Sequence, residues 1–268
     1  MNILLEGNDH TYFGIELVIY TLLTHNKHCN IYIFTMDIEV DHRNGTIQVF
    51  RSYTPEQRDK LKKIVKYLDN TSNITFIDAL DVYNKYLIPS VNELTPFTPY
   101  AALRLVSDIL LPNIDEVLYL DADTAITGNI EGVYNDYKNR DGNYSAFVCQ
   151  QACGYEGEMI SGVILFNLRK IRETGFLDVA RKNYRKREYK YPDQMALRDA
   201  GAPLQFPDYF GYCLKLEERS ELPLIVHFTN DISPKIYCCN DKLAVFFRHF
   251  PWLKYVQDGL KIFDTINF

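Results

Sequence analysis

The sequence predicts an α/β fold: one domain over residues 1–239, built on a mostly parallel sheet with helices on its faces, then a small C-terminal appendage over 240–268. Three observations predict it. The chain opens with an apolar strand, an apolar helix and a second apolar strand, the β-α-β order that requires a parallel pair and a right-handed crossover. Short apolar, β-branched runs then recur between helical stretches along the chain. Finally, its 268 residues are 47% apolar and 24% charged, an ordinary globular composition in a chain long enough to bury a sizeable core.

Residues 3–5 (ILL) form the first strand, which ends at Glu6-Gly7-Asn8-Asp9-His10. Residues 12–23 carry apolar side chains around most of a helix, so that helix is well covered. A second strand spans 31–34. Ligands of a parallel sheet lie beyond the carboxyl ends of its strands, so Asn8, Asp9 and His10 line that edge or are plain turn residues. Thr54-Pro55-Glu56-Gln57 supplies an N-cap, a proline at N1 and a capping-box glutamine. The helix it opens runs to Leu68, apolar at Leu61, Ile64, Val65 and Leu68 and polar opposite. A third strand spans 74–77. Thr98-Pro99 opens a helix through about 110 that carries Arg104, a guanidinium placed to meet a phosphate or carboxylate or to serve as a structural ion-pair partner.

At 116–130 stands EVLYLDADTAITGNI. Val117–Leu120 has the length and β-propensity of a buried strand, and it runs straight into Asp121-Ala122-Asp123. Two carboxylates one residue apart at a strand end form a hard-oxygen site that can hold Mg²⁺ or Mn²⁺ with positions left open for phosphates. An isolated DxD is more often a polar strand end. Two more strands follow at 145–148 and 163–166, flanking a loop at 150–159. Helical sequence runs from 169 to 187, with a basic run, Arg181-Lys182 to Lys190, that reads as a solvated face. Tyr191-Pro192-Asp193-Gln194 opens another helix, and a last strand at 224–226 delivers His227.

The net charge of −6 argues against a nucleic-acid or anionic-membrane surface as the main partner. Six irregularly placed cysteines are no disulfide framework, and reduced thiols with a cytoplasmic location are the simpler expectation. His25, His28 and Cys29 lie close together without an evident fourth zinc ligand. The N-terminus has neither a basic region nor an apolar core of signal-peptide length, and no run is long enough to span a membrane. The appendage is aromatic: Phe246, Phe247, Phe250, Trp252, Tyr255, Phe263 and Phe268. Its charges nearly cancel, which favours packing on the domain over peripheral contact with a membrane or an acceptor.

Several separated stretches together resemble one family, the retaining glycosyltransferases of family 8, which includes glycogenin and bacterial galactosyl- and glucosyltransferases of surface glycans. LYLDADTAITGNI is similar to the family's strand-DxD-loop, and SGVILFNLRKIRE to its signature strand and helix. PDQMAL resembles its aspartate–glutamine helix start, IVHF its metal-binding histidine strand, ILLEGNDHTYFGIEL its nucleotide-binding first turn and ALRL its arginine-bearing helix. The order is right from about residue 2 to 228.

The resemblance implies a GT-A nucleotide-sugar fold with a mixed, mostly parallel sheet, a UDP-sugar donor and Mn²⁺ or Mg²⁺. It places the metal on Asp121, Asp123 and His227. Asn8, His10, Tyr12 and Ala122 fall by the nucleotide, Lys235 by the diphosphate, Arg104 by the diphosphate or donor sugar, and Ser161 and Gly162 where backbone meets sugar. Asp193 and Gln194 fall at the reacting face. The implied reaction moves a hexose, glucose or galactose, to a hydroxyl of a glycan, lipid-linked or protein acceptor; the missing signal and the cysteines set it at the cytoplasmic side. The chain departs from the family pattern at Ile160, where asparagine is common, at Met195, often a carboxylate, and after His227, where Thr229–Lys235 replace Gly-Lys-Pro-Trp. These departures motivate a second reading, a sugar-nucleotide-binding protein without turnover. LDADT also matches the first motif of haloacid-dehalogenase phosphatases, but neither the late acidic pair nor the N-terminal placement of that motif is present.

Overall fold

The structure is a computed structural model that describes residues 1–41, 47–93, 95, 99–139, 144–150, 159–201, 204–205, 211–213 and 224–227. Lys235, the aromatic stretch 240–268 and most of the 150–159 loop lie outside them.

Strand β1 (Asn2–Glu6) leads through a 3₁₀ turn (Asp9–Thr11) into α1 (Tyr12–His25) and then β2 (Asn30–Thr35). An antiparallel pair, β3 (Ile38–Asp41) and β4 (Ile47–Phe50), precedes α2 (Pro55–Leu68), β5 (Asn73–Asp78) and α3 (Leu80–Tyr86). A 3₁₀ segment (Pro99–Val106) and α4 (Ser107–Leu110) lead to β6 (Glu116–Leu120), β7 (Thr124–Ile126) and α5 (Glu131–Asn139). Then come β8 (Ala146–Gln150), β9 (Met159–Asn167), α6 (Leu168–Thr174), α7 (Phe176–Lys186) and α8 (Pro192–Gly201). Three short strands close the described chain: β10 (Leu204–Gln205), β11 (Gly211–Cys213) and β12 (Ile225–His227).

Seven strands form the main sheet in the order β10-β8-β9-β6-β1-β2-β5. The pairs β6–β1, β1–β2, β2–β5 and β10–β8 are parallel, while β9 runs antiparallel to both neighbours. A smaller sheet, β11-β12-β7, stands beside it. Because successive side chains in a strand point to opposite faces, β1 sends Ile3 and Leu5 into one core and Leu4 into the other. The first core is shared with α1 and α2, the second with the 3₁₀ segment and α6–α8. β6 and β9 are buried along their whole lengths, as central strands covered on both faces must be.

Local chemistry explains most of the boundaries. At Thr54 the side chain accepts from Gln57 N at 3.2 Å while Gln57 Oε1 accepts from Thr54 N at 2.9 Å, a reciprocal cap worth about 1 kcal/mol. Leu61, Ile64 and Val65 are the buried stripe of that helix, each contributing about 1.5–3 kcal/mol. α1 is buried at nine positions, because β7 as well as the sheet packs on it; Thr21 Oγ1 accepts from Ile126 N at 3.1 Å.

Three expectations are corrected. The basic run read as a solvated face is buried at its start, where Arg181 is 5% exposed and donates to Leu105 O and Asp108. The helix read through 99–110 winds mostly as 3₁₀, with seven of the eight residues in that segment buried; tertiary contacts on nearly every side, including those of Arg104, override α-helical preference. The helix read over 169–187 is two helices, broken at Gly175, whose φ of +69° is left-handed and suits glycine. The β3–β4 pair, α3, α5 and β7 were not legible in the pattern. Among the described residues no helix is long and apolar enough to cross a membrane, and Cys29 is a buried free thiol.

Candidate active site

Strand order brings together residues that are far apart in sequence. β6 ends at Leu120, and its antiparallel partner β9 passes Ser161-Gly162 alongside, so that Asp121 N donates to Gly162 O at 2.8 Å. After the Asp121–Asp123 turn, held by Thr124 N and Oγ1 donating to Asp121 O at 3.1 and 2.9 Å, β7 pairs antiparallel with β12. That register sets His227 against Thr124. His227 Nε2 consequently lies 3.3 Å from Asp121 Oδ2 and 3.1 Å from Asp123 Oδ1.

Two glycines make this packing feasible. A Cβ at Gly162 would meet the His227 ring at 2.0–2.6 Å, and one at Gly14, in the first turn of α1, would lie 2.3 Å from the Ala122 carbonyl oxygen. The open face of Gly162 is therefore filled by the imidazole, and Ala122 sits against the start of α1.

Behind the turn lies Arg104, 4% exposed. Its Nη2 donates to Asp121 Oδ1 at 2.8 Å, its Nη1 to Ser161 O, and its Nε is 3.5 Å from Asp193 Oδ2. Its guanidinium carbon stands 4.2 Å over the centre of the Tyr119 ring. The Tyr119 hydroxyl bridges Asp121 Oδ1 and Glu6 Oε2, the latter at 3.0 Å. Ser161 Oγ donates to Asp193 Oδ2 at 2.9 Å, and Ser161 N to Gln194 Oε1 at 3.2 Å. The proline-started α8 thus sets Asp193 and Gln194 against β9.

Charge states follow from these contacts. Burial alone would raise Asp121, but Arg104, His227 and Tyr119 hold its carboxyl well below the usual range. Burial opposes the charged form of His227, yet Asp123 and Asp121 outweigh it and raise the imidazole well above its ordinary value. Asp193 is raised by burial, which Arg104 only partly offsets. Glu6, more deeply enclosed, is pushed up to about 8 by burial against the pull of Arg104.

The donor set fits a divalent ion. One ligand atom each from Asp121, Asp123 and His227 lies within 4.8 Å of the others. Octahedral bonds of about 2.1 Å place neighbouring ligands about 3 Å apart, close to the spacing from Nε2 to the carboxylates. Two carboxylates and an imidazole suit Mn²⁺ or Mg²⁺.

Residues 2–200 match glycosyl transferase family 8. The chain belongs to that family. Family 8 membership removes the phosphatase reading. Among solved structures the fold superposes on the galactosyltransferase LgtC, solved with donor and acceptor sugar analogues, at a TM-score of 0.60 and 13% identity, covering 87% of this chain and 88% of that one. The bifunctional glycosyltransferase WbbM gives 0.62 at 12% identity over 86% of this chain, which spans only 46% of WbbM. Mouse xyloside xylosyltransferase 1 gives 0.58 at 13% identity over 86% of this chain and 99% of that one. At these identities the likeness establishes the GT-A fold. No curated protein sequence matches the chain.

The remaining expected residues of this family 8 chain are placed as follows. Asn8 is buried, and its Oδ1 accepts from His10 N at 2.9 Å and Thr11 N at 3.2 Å, so it shapes the first turn. The His10 side chain is 46% exposed at the rim, its ring 5.7 Å from that of Phe50. Tyr12 packs edge-on against Tyr53 with ring centres 5.7 Å apart. Lys235 lies outside the described residues. No pattern in the sequence marks Glu6, Tyr119 or Gly14 as part of the site, beyond a carboxylate that ends an apolar strand.

Proposed function

We propose that this family 8 chain is a metal-dependent retaining hexosyltransferase. It takes a UDP-sugar, glucose or galactose favoured, and transfers the hexose to a hydroxyl of a glycan, lipid-linked or protein acceptor at the cytoplasmic side. The observation that carries the reading is the convergence of Asp121, Asp123 and His227 beside Asp193, Gln194 and Ser161. The first three hold Mn²⁺ or Mg²⁺, and a bound ion would neutralise charge developing on the departing diphosphate. Asn8, His10, Tyr12 and Ala122 border the nucleotide.

The local contacts favour attack by the acceptor hydroxyl on the leaving-group face over a covalent enzyme intermediate. Asp193 is 7% exposed, and its Oδ2 is engaged by Ser161 and Arg104, so it is a poor nucleophile as held. Gln194 has its amide oxygen taken by Ser161 N, which leaves its NH₂ end to orient the donor sugar. Arg104 acts by fixing Asp121 and Asp193 rather than by reaching solvent.

The test is UDP release from a panel of UDP-sugars, with and without Mn²⁺, beside Asp123→Ala. Mn²⁺-dependent release from one sugar, abolished by the substitution, supports the reading and names the donor. Release that is independent of metal, or unchanged in Asp123→Ala, refutes it. Binding of UDP without turnover of any donor, in the presence of acceptor extracts, would favour the non-catalytic reading motivated by Ile160 and Met195.

A further inference from the structure

Behind the proposed metal site lies a buried carboxyl group that the transfer chemistry does not use. Glu6 ends β1 at 6% exposure. Its Oε2 is 3.0 Å from the Tyr119 hydroxyl and 3.7 Å from Arg104 Nη2, and among the described residues its Oε1 has no hydrogen-bond partner. The parallel register of β1 and β6, Leu4 opposite Tyr119, brings these strand ends together. Three carboxyl groups, Glu6, Asp121 and Asp193, therefore surround the single guanidinium of Arg104. Arg104 and Tyr119 in turn both hold Oδ1 of Asp121, leaving Oδ2 as the oxygen that faces His227.

The hydrogen count constrains how the cluster is wired. A phenol has one hydrogen to donate, and Tyr119 lies against two carboxyl groups. Asp121 is the one held as carboxylate by Arg104, so the phenol hydrogen goes to it. The contact between Tyr119 and Glu6 then needs its hydrogen from Glu6. In that form Glu6 adds no negative charge to a cluster already crowded with carboxylates, and a buried unpaired charge is avoided.

We propose that Glu6 is a positioning residue for the proposed metal ligand Asp121: it donates a hydrogen bond to Tyr119 and packs against Arg104, so that both hold Oδ1 and aim Oδ2 at the ion. The inference rests on the metal-site reading above. Outer contacts that orient a ligand change metal affinity about 10–100-fold when removed.

The test is Mn²⁺ titration followed by electron paramagnetic resonance on the wild type, Glu6→Ala, Glu6→Gln and Tyr119→Phe, with a thermal melt in chelator for each. Tyr119→Phe keeps the ring under Arg104 and removes only the hydroxyl. Glu6→Gln is close in shape, neutral, and still a donor. The inference expects Glu6→Ala and Tyr119→Phe to weaken Mn²⁺ about 10–100-fold while remaining folded, and Glu6→Gln to retain wild-type affinity. Wild-type affinity in Tyr119→Phe or Glu6→Ala overturns it. So does a Glu6→Gln protein as weak as Glu6→Ala, since the charge of Glu6 would then be the active feature. Should Glu6→Ala fail to fold, Glu6→Leu, close in size and unable to donate, takes its place with the same expected loss of about 10–100-fold. A wild type that binds no Mn²⁺ overturns the metal-site reading itself, and so is distinguishable from a failure confined to Glu6.

Discussion

Gly162→Ala is the most informative single substitution in this protein. The added Cβ would stand 2.0 Å from His227 Cε1, 2.4 Å from Nδ1 and 2.6 Å from Nε2, whereas ordinary carbon contacts are about 3.5–4.0 Å. The ring must therefore retreat by about 1.5 Å or more. It has little room to do so, since His227 is 4% exposed, β9 is buried throughout, and β12 is pinned to β7 in register. Metal–ligand distances tolerate only about 0.2 Å, so Nε2 would be lost as a ligand. The expected fall in Mn²⁺ affinity is about 10–100-fold or greater, or about 1.4–2.8 kcal/mol, with an overpacking cost to stability of about 1–3 kcal/mol. Mn²⁺ titration and urea unfolding measure the two effects separately. Gly132→Ala is the control: a Cβ there meets nothing within 4 Å, and in α5 alanine should leave Mn²⁺ binding unchanged and add about 0.5–1 kcal/mol of stability. Wild-type Mn²⁺ affinity in Gly162→Ala would refute the placement of His227 over the glycine.

Other consequences concern the scaffold. Arg181 donates to Leu105 O and Asp108 Oδ1, each at 2.7 Å, and to Asp178; Arg181→Ala leaves Asp108 buried without its cation and should cost about 3–5 kcal/mol in chemical denaturation, with Mn²⁺ affinity unaltered in the folded fraction. Asp69 accepts from His28 N, Thr71 N, Thr71 Oγ1 and Ser72 Oγ; burial would raise its carboxyl, but these hydrogen bonds hold it well below the ordinary range. A depressed folded-state value gives stability that is complete above the unfolded value of about 4 and is lost as pH falls below it. Unfolding curves of wild type and Asp69→Asn should therefore differ by about 1–3 kcal/mol at pH 7, and the gap should begin to narrow only as pH falls below about 4; a gap that stays constant well below about pH 4 would contradict the assignment.

The features legible in the sequence share one property: their cause is local. Thr54-Pro55 with Gln57 declares a helix start because the cap is made within four residues, and Val117–Leu120 declares a strand by its own side chains. The turn Asp121-Ala122-Asp123 and the strand ending in His227 were legible separately, and the family resemblance set them side by side. What was not legible depends on partners distant in the chain. Glu6 meets Tyr119 only because β1 and β6 pair in parallel, and Gly162 is needed only because β12 lays His227 across it. The 3₁₀ winding of Pro99–Val106 and the burial of Arg104 likewise reflect tertiary contacts that no periodicity carries. β3 alternates half-buried and exposed residues over four positions, and β4 runs from exposed Ile47 to buried Phe50 over another four, each too short to register as a strand. The break at Gly175 does carry a signal, a glycine inside a helical run, which the helix-forming residues on either side outweigh.

The proposed function has Asp121, Asp123 and His227 hold a divalent ion and, through it, a UDP-sugar. Calorimetric titration of UDP into the protein with Mn²⁺, with chelator, and into Asp123→Ala with Mn²⁺ tests it most directly. Measurable binding is expected in the first case alone. Equal binding in chelator or in Asp123→Ala, or none in any of the three, would contradict it.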